Sequence, residues 1–332
     1  MAGRVRDRNF GEGGKGEAMQ MRYRTRVGYG FAPLDARSAI DTIQRAEAAG
    51  VEMVWTVMRA TGRDTPTLYA AALTRTSRVK LGTAIVPAFT RHPLALVTQM
   101  LTLEDLAPGR IRLGIGTSHQ RTMIPIYGFD FSRPLAQLRE YLQVLRPSLH
   151  DGKVTFEGEF YRVNADFGAA PKTPILISTL RARAFELAGE LTDGAITWLC
   201  PVDYILSVGK PALERGAAKA GRPAPPIVAH VLVAPRTDRE AVRRDARQTL
   251  TYYAGAEFYR RMFADAGFPL GPDNAVPDAL IDELVVSGDA DGIAAALRGR
   301  LDRGLDELVV SLVPGEDPAR EEAALLEIIG SL

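Results

Sequence analysis

The sequence predicts an α/β fold, a closed (β/α)8 barrel with small insertions, and three observations predict it. Short runs rich in β-branched and apolar residues alternate with longer runs of helical period, eight times between Arg22 and Leu332. Several of the short runs, Ile111 to Gly116 above all, are nearly continuous in apolar residues, as parallel strands buried beneath helices on both faces must be. At three joins, around Gly50, Gly194 and Gly304, a glycine stands where a helical pattern stops and a strand pattern begins. Glycine at such a point adopts the left-handed conformation that satisfies the last helical carbonyls. Strand–helix–strand repeats imply right-handed crossovers and parallel pairing. Eight of them over roughly 300 residues suit a barrel, which takes about 250 residues plus insertions. An open, doubly wound sheet is the competing fold and needs a glycine fingerprint after its first strand. Tyr29-Gly30-Phe31-Ala32-Pro33 does not supply one.

Arg24 to Phe31 reads as the first strand, and Asp35 caps a helix whose apolar side is Ala39, Ile40, Ile43 and Ala46. Val51 to Val57 is the second strand. Thr65 with Pro66 opens a helix through Leu68 and Leu73, since proline loses no hydrogen bond at the first helical position. Val79 to Val86 is the third strand, Pro93 begins a helix that stops at Pro108-Gly109, and Ile111 to Gly116 is the fourth strand. A helix over Arg133 to Leu149 precedes a small hairpin, Val154 to Phe156 against Phe160 to Arg162, outside the alternating scheme. Pro174 to Thr179 and Gly194 to Leu199 are the fifth and sixth strands, with a helix to Leu191 between them. A helical run from Ile205 to Ala220 leads to the seventh strand, Ile227 to Val233. Helices near Asp238 to Ala254 and Ala290 to Arg303 flank a Pro/Gly-rich region; Glu307 to Val313 is the eighth strand, followed by a helix from about Pro318 to Ile329. Residues 1–21 show neither apolar period and are expected to form a disordered extension, leaving 22–332 as one barrel domain.

Composition excludes several classes. Hydrophobic residues make up 46% and charged ones 24%, so the chain can build a packed core and is neither disordered nor collagen-like. Lys plus Arg is 41 against 40 for Asp plus Glu, a formal charge of +1 that gives no global reason to expect nucleic acid or an anionic membrane as partner. No run approaches the ~18 consecutive apolar residues of a membrane span, and the first residues lack the apolar stretch of a secretory signal. The single cysteine, Cys200, excludes an intrachain disulfide and thiolate-rich metal sites and fits a reducing, cytoplasmic setting. The four histidines have no metal-ligand spacing, so no metal is expected, and there is neither a Gly-x-Ser-x-Gly elbow nor a Walker phosphate loop.

Barrels of this kind carry their active sites at the C-terminal ends of the strands. The most informative loop is Leu113-Gly114-Ile115-Gly116-Thr117-Ser118-His119. Glycines there let backbone N–H groups approach an anion, and the Thr117 and Ser118 hydroxyls add donors; the same Gly-x-Gly also suits a tight packed turn with no ligand. His119 is the imidazole best placed for acid–base work, with hydrogen bonding to loop backbone as its plainer role. His92 is expected to serve the start of the helix at Pro93, His230 to be a satisfied barrel-interior residue, and His150 to face solvent. Cys200 has no identifiable base partner and reads as a small buried hydrophobe. Tyr29, Arg59 and Trp198, at strand ends, are candidates for the substrate pocket, Trp198 as an aromatic wall for a planar ring or as core.

Three segments together carry a family resemblance. One runs from Arg78 through Lys80-Leu81-Gly82-Thr83-Ala84-Ile85-Val86-Pro87 to Arg91-His92-Pro93-Leu94. The second is Gly109-Arg110-Ile111-Arg112-Leu113-Gly114-Ile115-Gly116 with Ser118-His119, Tyr127-Gly128, Arg139-Glu140-Tyr141-Leu142 and Val154 to Tyr161. The third is Pro174-Ile175-Leu176-Ile177 with Ala188-Gly189-Glu190 and Asp193-Gly194. In these the chain resembles the luciferase-like superfamily of flavin- and deazaflavin-dependent oxidoreductases, and most of all the branch that uses coenzyme F420, a 5-deazaflavin. The resemblance implies a (β/α)8 barrel, often dimeric, with the tricyclic ring in the barrel mouth. It implies that Ala84-Ile85 is the bulge whose cis peptide bond backs the ring, and that Gly116, Thr117, Ser118 and His119, with Ser178, Thr179 and Leu180, surround the cofactor's phosphate-bearing side chain. It implies hydride transfer between F420 and a C=C, C=N or C=O group of a small molecule, in a homodimer; His119, placed by its loop, is the favoured proton partner, and the acid–base assignment stays open. The alternatives are an FMN-dependent monooxygenase using dioxygen and a non-catalytic cofactor-binding or partner subunit. The sequence departs from the sugar-phosphate dehydrogenase branch at three places. Met58 and Arg59 replace its Asp-His pair and His119 replaces a glutamate, which points to a different substrate, while Thr179-Leu180-Arg181 lacks the glycines common in relatives, which leaves the anion contacts of that loop open.

Overall fold

The computed structural model describes residues 23–332; the extension expected over residues 1–21 lies outside them. The strands are β1 (Val27–Phe31), β2 (Met53–Thr56), β3 (Lys80–Thr83), β4 (Val86–Pro87), β5 (Ile111–Gly116), β6 (Lys153–Glu157), β7 (Arg162–Asp166), β8 (Ile175–Thr179), β9 (Gly194–Thr197), β10 (Ile227–Ala234), β11 (Val285–Ser287) and β12 (Glu307–Leu312). The helices are α1 (Ala36–Ala48), α2 (Thr65–Leu73), α3 (Pro93–Leu106), α4 (Gln120–Tyr127), α5 (Pro134–His150), α6 (Ala182–Leu191), α7 (Lys210–Lys219), α8 (Arg239–Ala254), α9 (Glu257–Asp265), α10 (Asp278–Leu284), α11 (Ala290–Asp302) and α12 (Pro318–Gly330). Eight parallel strands run in the order β10-β12-β1-β2-β3-β5-β8-β9, and β9 pairs back onto β10, closing the (β/α)8 barrel that the alternation predicts. The hairpin β6–β7 stands outside it as a two-stranded antiparallel sheet, as expected.

The two faces of each strand have different duties. Outward residues such as Val27, Tyr29, Val54, Leu81, Ile115 and Val310 join the helices in one continuous core. Inward residues Met53, Trp55, Ala84, Leu176, Ile196, Val228 and Val309 fill the barrel, with Ile85 packed above them. A Cβ on Gly82 would stand 2.3 Å from the Trp55 ring, so glycine in β3 is what admits an indole to the barrel axis. At the N-terminal end Arg112 meets Glu307 at 2.5 Å and 3.2 Å, with its guanidinium 5.0 Å from the Trp55 ring centre.

The differences from the sequence reading have physical causes. The first strand begins at Val27 because Arg26 anchors the preceding turn, its guanidinium donating to the carbonyls of Leu305 and Asp306. The third strand is interrupted at Ala84–Ile85, where the peptide bond is cis, and resumes as β4 against β5. Gly50 (φ 86°) and Gly304 (φ 111°) take the left-handed conformation, but Gly194 does not. It lies inside β9, where a Cβ would press on Leu176 at 2.8 Å, and Thr192 ends the preceding helix by donating its hydroxyl to the Ala188 carbonyl. Helix α4 carries Pro125 in its interior and buries only Met123, so no apolar stripe announces it. The Pro/Gly-rich region holds α9, α10 and β11.

Candidate active site

At the C-terminal mouth of the barrel β3, β5 and β8 converge. A Cβ on Gly116 would lie 2.1 Å from Ser178 Oγ and 3.2 Å from Ile85 Cδ1, so glycine on β5 is what lets Ser178 and Ile85 pack together here. Ser118 then adopts φ 59°, turning the chain so that the His119 carbonyl accepts from the amides of Thr122 and Met123 at 2.9 Å and opens α4. Thr117 Oγ1 donates to the Ser118 carbonyl at 3.3 Å. Of the other expected cofactor contacts, Ala84 joins the barrel interior, Thr179 donates its hydroxyl to the Ile196 carbonyl at 3.3 Å, and Leu180 packs among the outer core residues.

His119 sits in an aromatic box. Phe258 stacks on it with ring centres 5.5 Å apart, and Tyr253 and Tyr259 close the sides at 6.0 and 6.2 Å. Burial, helped by the charge of Arg121, pushes its pKa down to about 4, so the imidazole is neutral at pH 7. Its Nδ1 is buried without a hydrogen-bond partner, so no carboxylate orients the ring. The box comes from α8 and α9, whose aromatic residues, Tyr252, Tyr253, Phe258, Tyr259 and Phe263, cluster in sequence. That cluster was the signal for a site wall, and it is indistinguishable in sequence from ordinary helix core.

Trp198 is part of the mouth. It stacks on His230 at 3.5 Å with planes 13° apart, and Tyr253 of the His119 box lies beside it. Arg59 is exposed near Tyr253, whose hydroxyl feels its charge. Tyr29 is a correction: it points outward between barrel and helices, its hydroxyl donating to Glu322 Oε2 on α12 at 3.0 Å, so it does not line the mouth. Gly28 and Gly30 are the inward positions of β1.

Three further expectations concern histidines. His92 does serve the helix start, Nδ1 accepting from the Leu94 amide at 3.2 Å. His150 does not face solvent freely: Nε2 lies 3.2 Å from the Thr173 carbonyl and 3.4 Å from Asp193 Oδ2. His230 is inside the barrel but not satisfied, since neither ring nitrogen has a hydrogen-bond partner. Cys200 is buried, and burial pushes its thiol up, away from nucleophile chemistry. Among the described residues no cluster of His, Cys, Asp or Glu could hold a metal ion, and no helix is long and apolar enough to cross a membrane.

The sequence and the fold have counterparts among known proteins. The chain is 32% identical over 262 residues to an F420-dependent glucose-6-phosphate dehydrogenase of Nakamurella multipartita, covering 74% of this chain and 75% of the relative. It is 26% identical over 309 residues to the 5,10-methylenetetrahydromethanopterin reductase of Methanolobus tindarius, covering 86% and 93%. The solved structure of an F420-dependent secondary alcohol dehydrogenase with an F420–acetone adduct shares the fold, with a TM-score of 0.77 at 20% identity over 92% of this chain and 98% of that one. The family description "luciferase-like monooxygenase" matches residues 15–307. With that span matched and the barrel closed as the family requires, the chain belongs to the luciferase-like monooxygenase family.

Proposed function

We propose that the chain is an F420-dependent oxidoreductase that moves a hydride between the coenzyme and a C=C, C=N or C=O group, or the reduced form of one, on a small organic substrate. The observation that carries this reading is the close packing of Ser178 and Ile85 onto Gly116 at the barrel mouth, in a chain with relatives named as F420-dependent enzymes. The residues fit such a group: Ile85 offers an apolar surface, the Ser178 hydroxyl packs against Gly116 beside it, and the turn at Ser118 sets amides and hydroxyls at the rim. A deazaflavin, when bound, supplies a hydride-carrying carbon that does not activate dioxygen.

The chain's own residues do the rest. Ile85, Gly116, Thr117, Ser118 and Ser178 hold the ring and its anionic tail, and Trp198 with Tyr253 walls the mouth against water. His119, neutral at pH 7, accepts a proton from a substrate hydroxyl as it is oxidised. Titration with F420 and with FMN tests the cofactor: micromolar FMN binding without F420 binding refutes the proposal. The family also contains monooxygenases, and dioxygen consumption with reduced FMN in an oxygen electrode would favour that chemistry. His119→Ala should lower turnover by about 100-fold or more, the scale of general acid–base catalysis, and leave F420 affinity within about threefold. Unchanged turnover removes His119 from the mechanism.

A further inference from the structure

The floor of the mouth carries two polar side chains to which the chain offers no hydrogen-bond partner. His230 on β10 is 4% exposed, with neither Nδ1 nor Nε2 partnered; Ser311 on β12 has a buried, unpartnered Oγ. The register places them together. His230 pairs with Val309 and Leu232 with Ser311, so Ser311 stands diagonally one step nearer the mouth on the neighbouring strand. Both point inward: Val228 and Val309, two residues before each, belong to the barrel interior. Trp198 lies flat on one face of the imidazole at 3.5 Å and fixes its plane, leaving the ring edge as the polar surface. On the other flank of Ser311, Gly30 of β1 brings no side chain; a Cβ there would lie 3.1 Å from Ser311 Oγ and 2.6 Å from Val309 Cγ2.

Buried polar groups are ordinarily hydrogen-bonded, and leaving three nitrogen and oxygen atoms unpaired at one spot is costly unless something else satisfies them. We propose that His230 and Ser311 form the binding site for one uncharged oxygen of the substrate, a carbonyl or a hydroxyl, beneath the reacting group. A neutral imidazole carries one N–H donor and one lone pair, and a serine hydroxyl donates and accepts, so the pair can hold either a carbonyl or a hydroxyl oxygen. An ionised group is disfavoured there, because the cation in the barrel interior, Arg112, is already paired with Glu307 at the opposite end. This rests on reading the mouth as the substrate site, and it names the substrate class as neutral and oxygen-bearing on an apolar body.

The test uses the full-length protein with ¹⁵N-labelled histidine. Imidazole ¹H–¹⁵N correlation spectra are recorded during titration with cyclohexanone, cyclohexanol and acetophenone. The expected result is a saturable shift of the His230 nitrogens with at least one probe, weakened about three- to tenfold in Ser311→Ala, the scale of one hydrogen bond. His230→Phe should abolish probe binding yet melt at or above the wild-type temperature, because an apolar ring of similar shape replaces an unpaired polar one. A merely structural histidine would instead lower the melting temperature when replaced. No His230 shift with any of the three probes, unchanged affinity in Ser311→Ala, or a destabilised His230→Phe each overturns the proposal. F420 fluorescence titration of the same samples separates the two readings: ketone binding at His230 without F420 binding refutes the cofactor and leaves this site standing.

Discussion

Gly116→Ala is the most direct perturbation of the mouth. The new methyl would stand 2.1 Å from Ser178 Oγ, 3.1 Å from Ser178 Cβ and 3.2 Å from Ile85 Cδ1. The hydroxyl can rotate away, but Ser178 Cβ is held by the ladder between β8 and β9, and Ile85 is held by the barrel interior. Overpacking of this kind costs about 1–3 kcal/mol. At about 2.1 cal/mol/K per residue, unfolding entropy for a chain of this length is about 0.7 kcal/mol/K, so the melting temperature should fall by about 1.5–4 °C. The methyl also pushes Ser178 and Ile85, two residues proposed to hold the cofactor, out of place, and F420 affinity should fall at least about tenfold, or about 1.4 kcal/mol. Adding Ser178→Ala removes the shortest contact, so the double variant should recover about half of the lost stability. Scanning calorimetry and fluorescence titration on the four proteins of the cycle read both quantities. A Gly116→Ala protein that melts within about 1 °C of wild type and binds F420 unchanged would show that the Gly116–Ser178–Ile85 contact is not part of the cofactor site.

Three further outcomes are expected. Burial lowers the pKa of His119 to about 4 and of His230 to about 3, both below the 6.5 of a free imidazole, so the unfolded chain binds more protons in the window between. Stability is therefore full above about pH 7 and falls as pH drops toward 4, with these two groups contributing up to about 2.7 kcal/mol per pH unit; denaturant midpoints at pH 7.5, 6 and 5 should show it, and His230→Phe should flatten the slope by about half. Arg112→Met strands the Glu307 carboxylate inside the barrel and should cost about 2–4 kcal/mol, reduced from the fully buried value because the side chains are 18% and 23% exposed; adding Glu307→Leu should restore most of it in urea unfolding. Glu140 accepts the amides of Glu159, Phe160 and Tyr161 at 3.0, 2.7 and 3.2 Å. Removing it in Glu140→Ala should raise hydrogen exchange at the hairpin tip about 10- to 100-fold, with barrel amides unchanged.

Much of the architecture was legible because it is encoded locally. Proline and capping residues opened helices where expected: Asp35 accepts from the amides of Arg37 and Ser38, and Pro93 and Pro318 sit in the first turns of α3 and α12. The Gly116 loop was recognisable because a glycine at a strand end followed by hydroxyls and a histidine is a local pattern. Helix α4 was not, since a proline and one buried residue give no stripe, and α9 and α10 were hidden in a Pro/Gly-rich stretch whose partners are distant in sequence.

The sequence by itself determined which runs are barrel strands and their parallel pairing. It could not determine which face of a strand looks inward, because strands buried on both faces are apolar on both and carry no alternation to read. Tyr29 was misplaced for that reason; only closure of the barrel, with Gly28 and Gly30 turned toward Trp55 and Val309, sends its ring to the helices. The same closure decides that His230 lies beneath Trp198 beside Ser311 with its nitrogens unpaired, since hydrogen-bond partners are supplied by neighbouring strands rather than by the strand that bears the side chain.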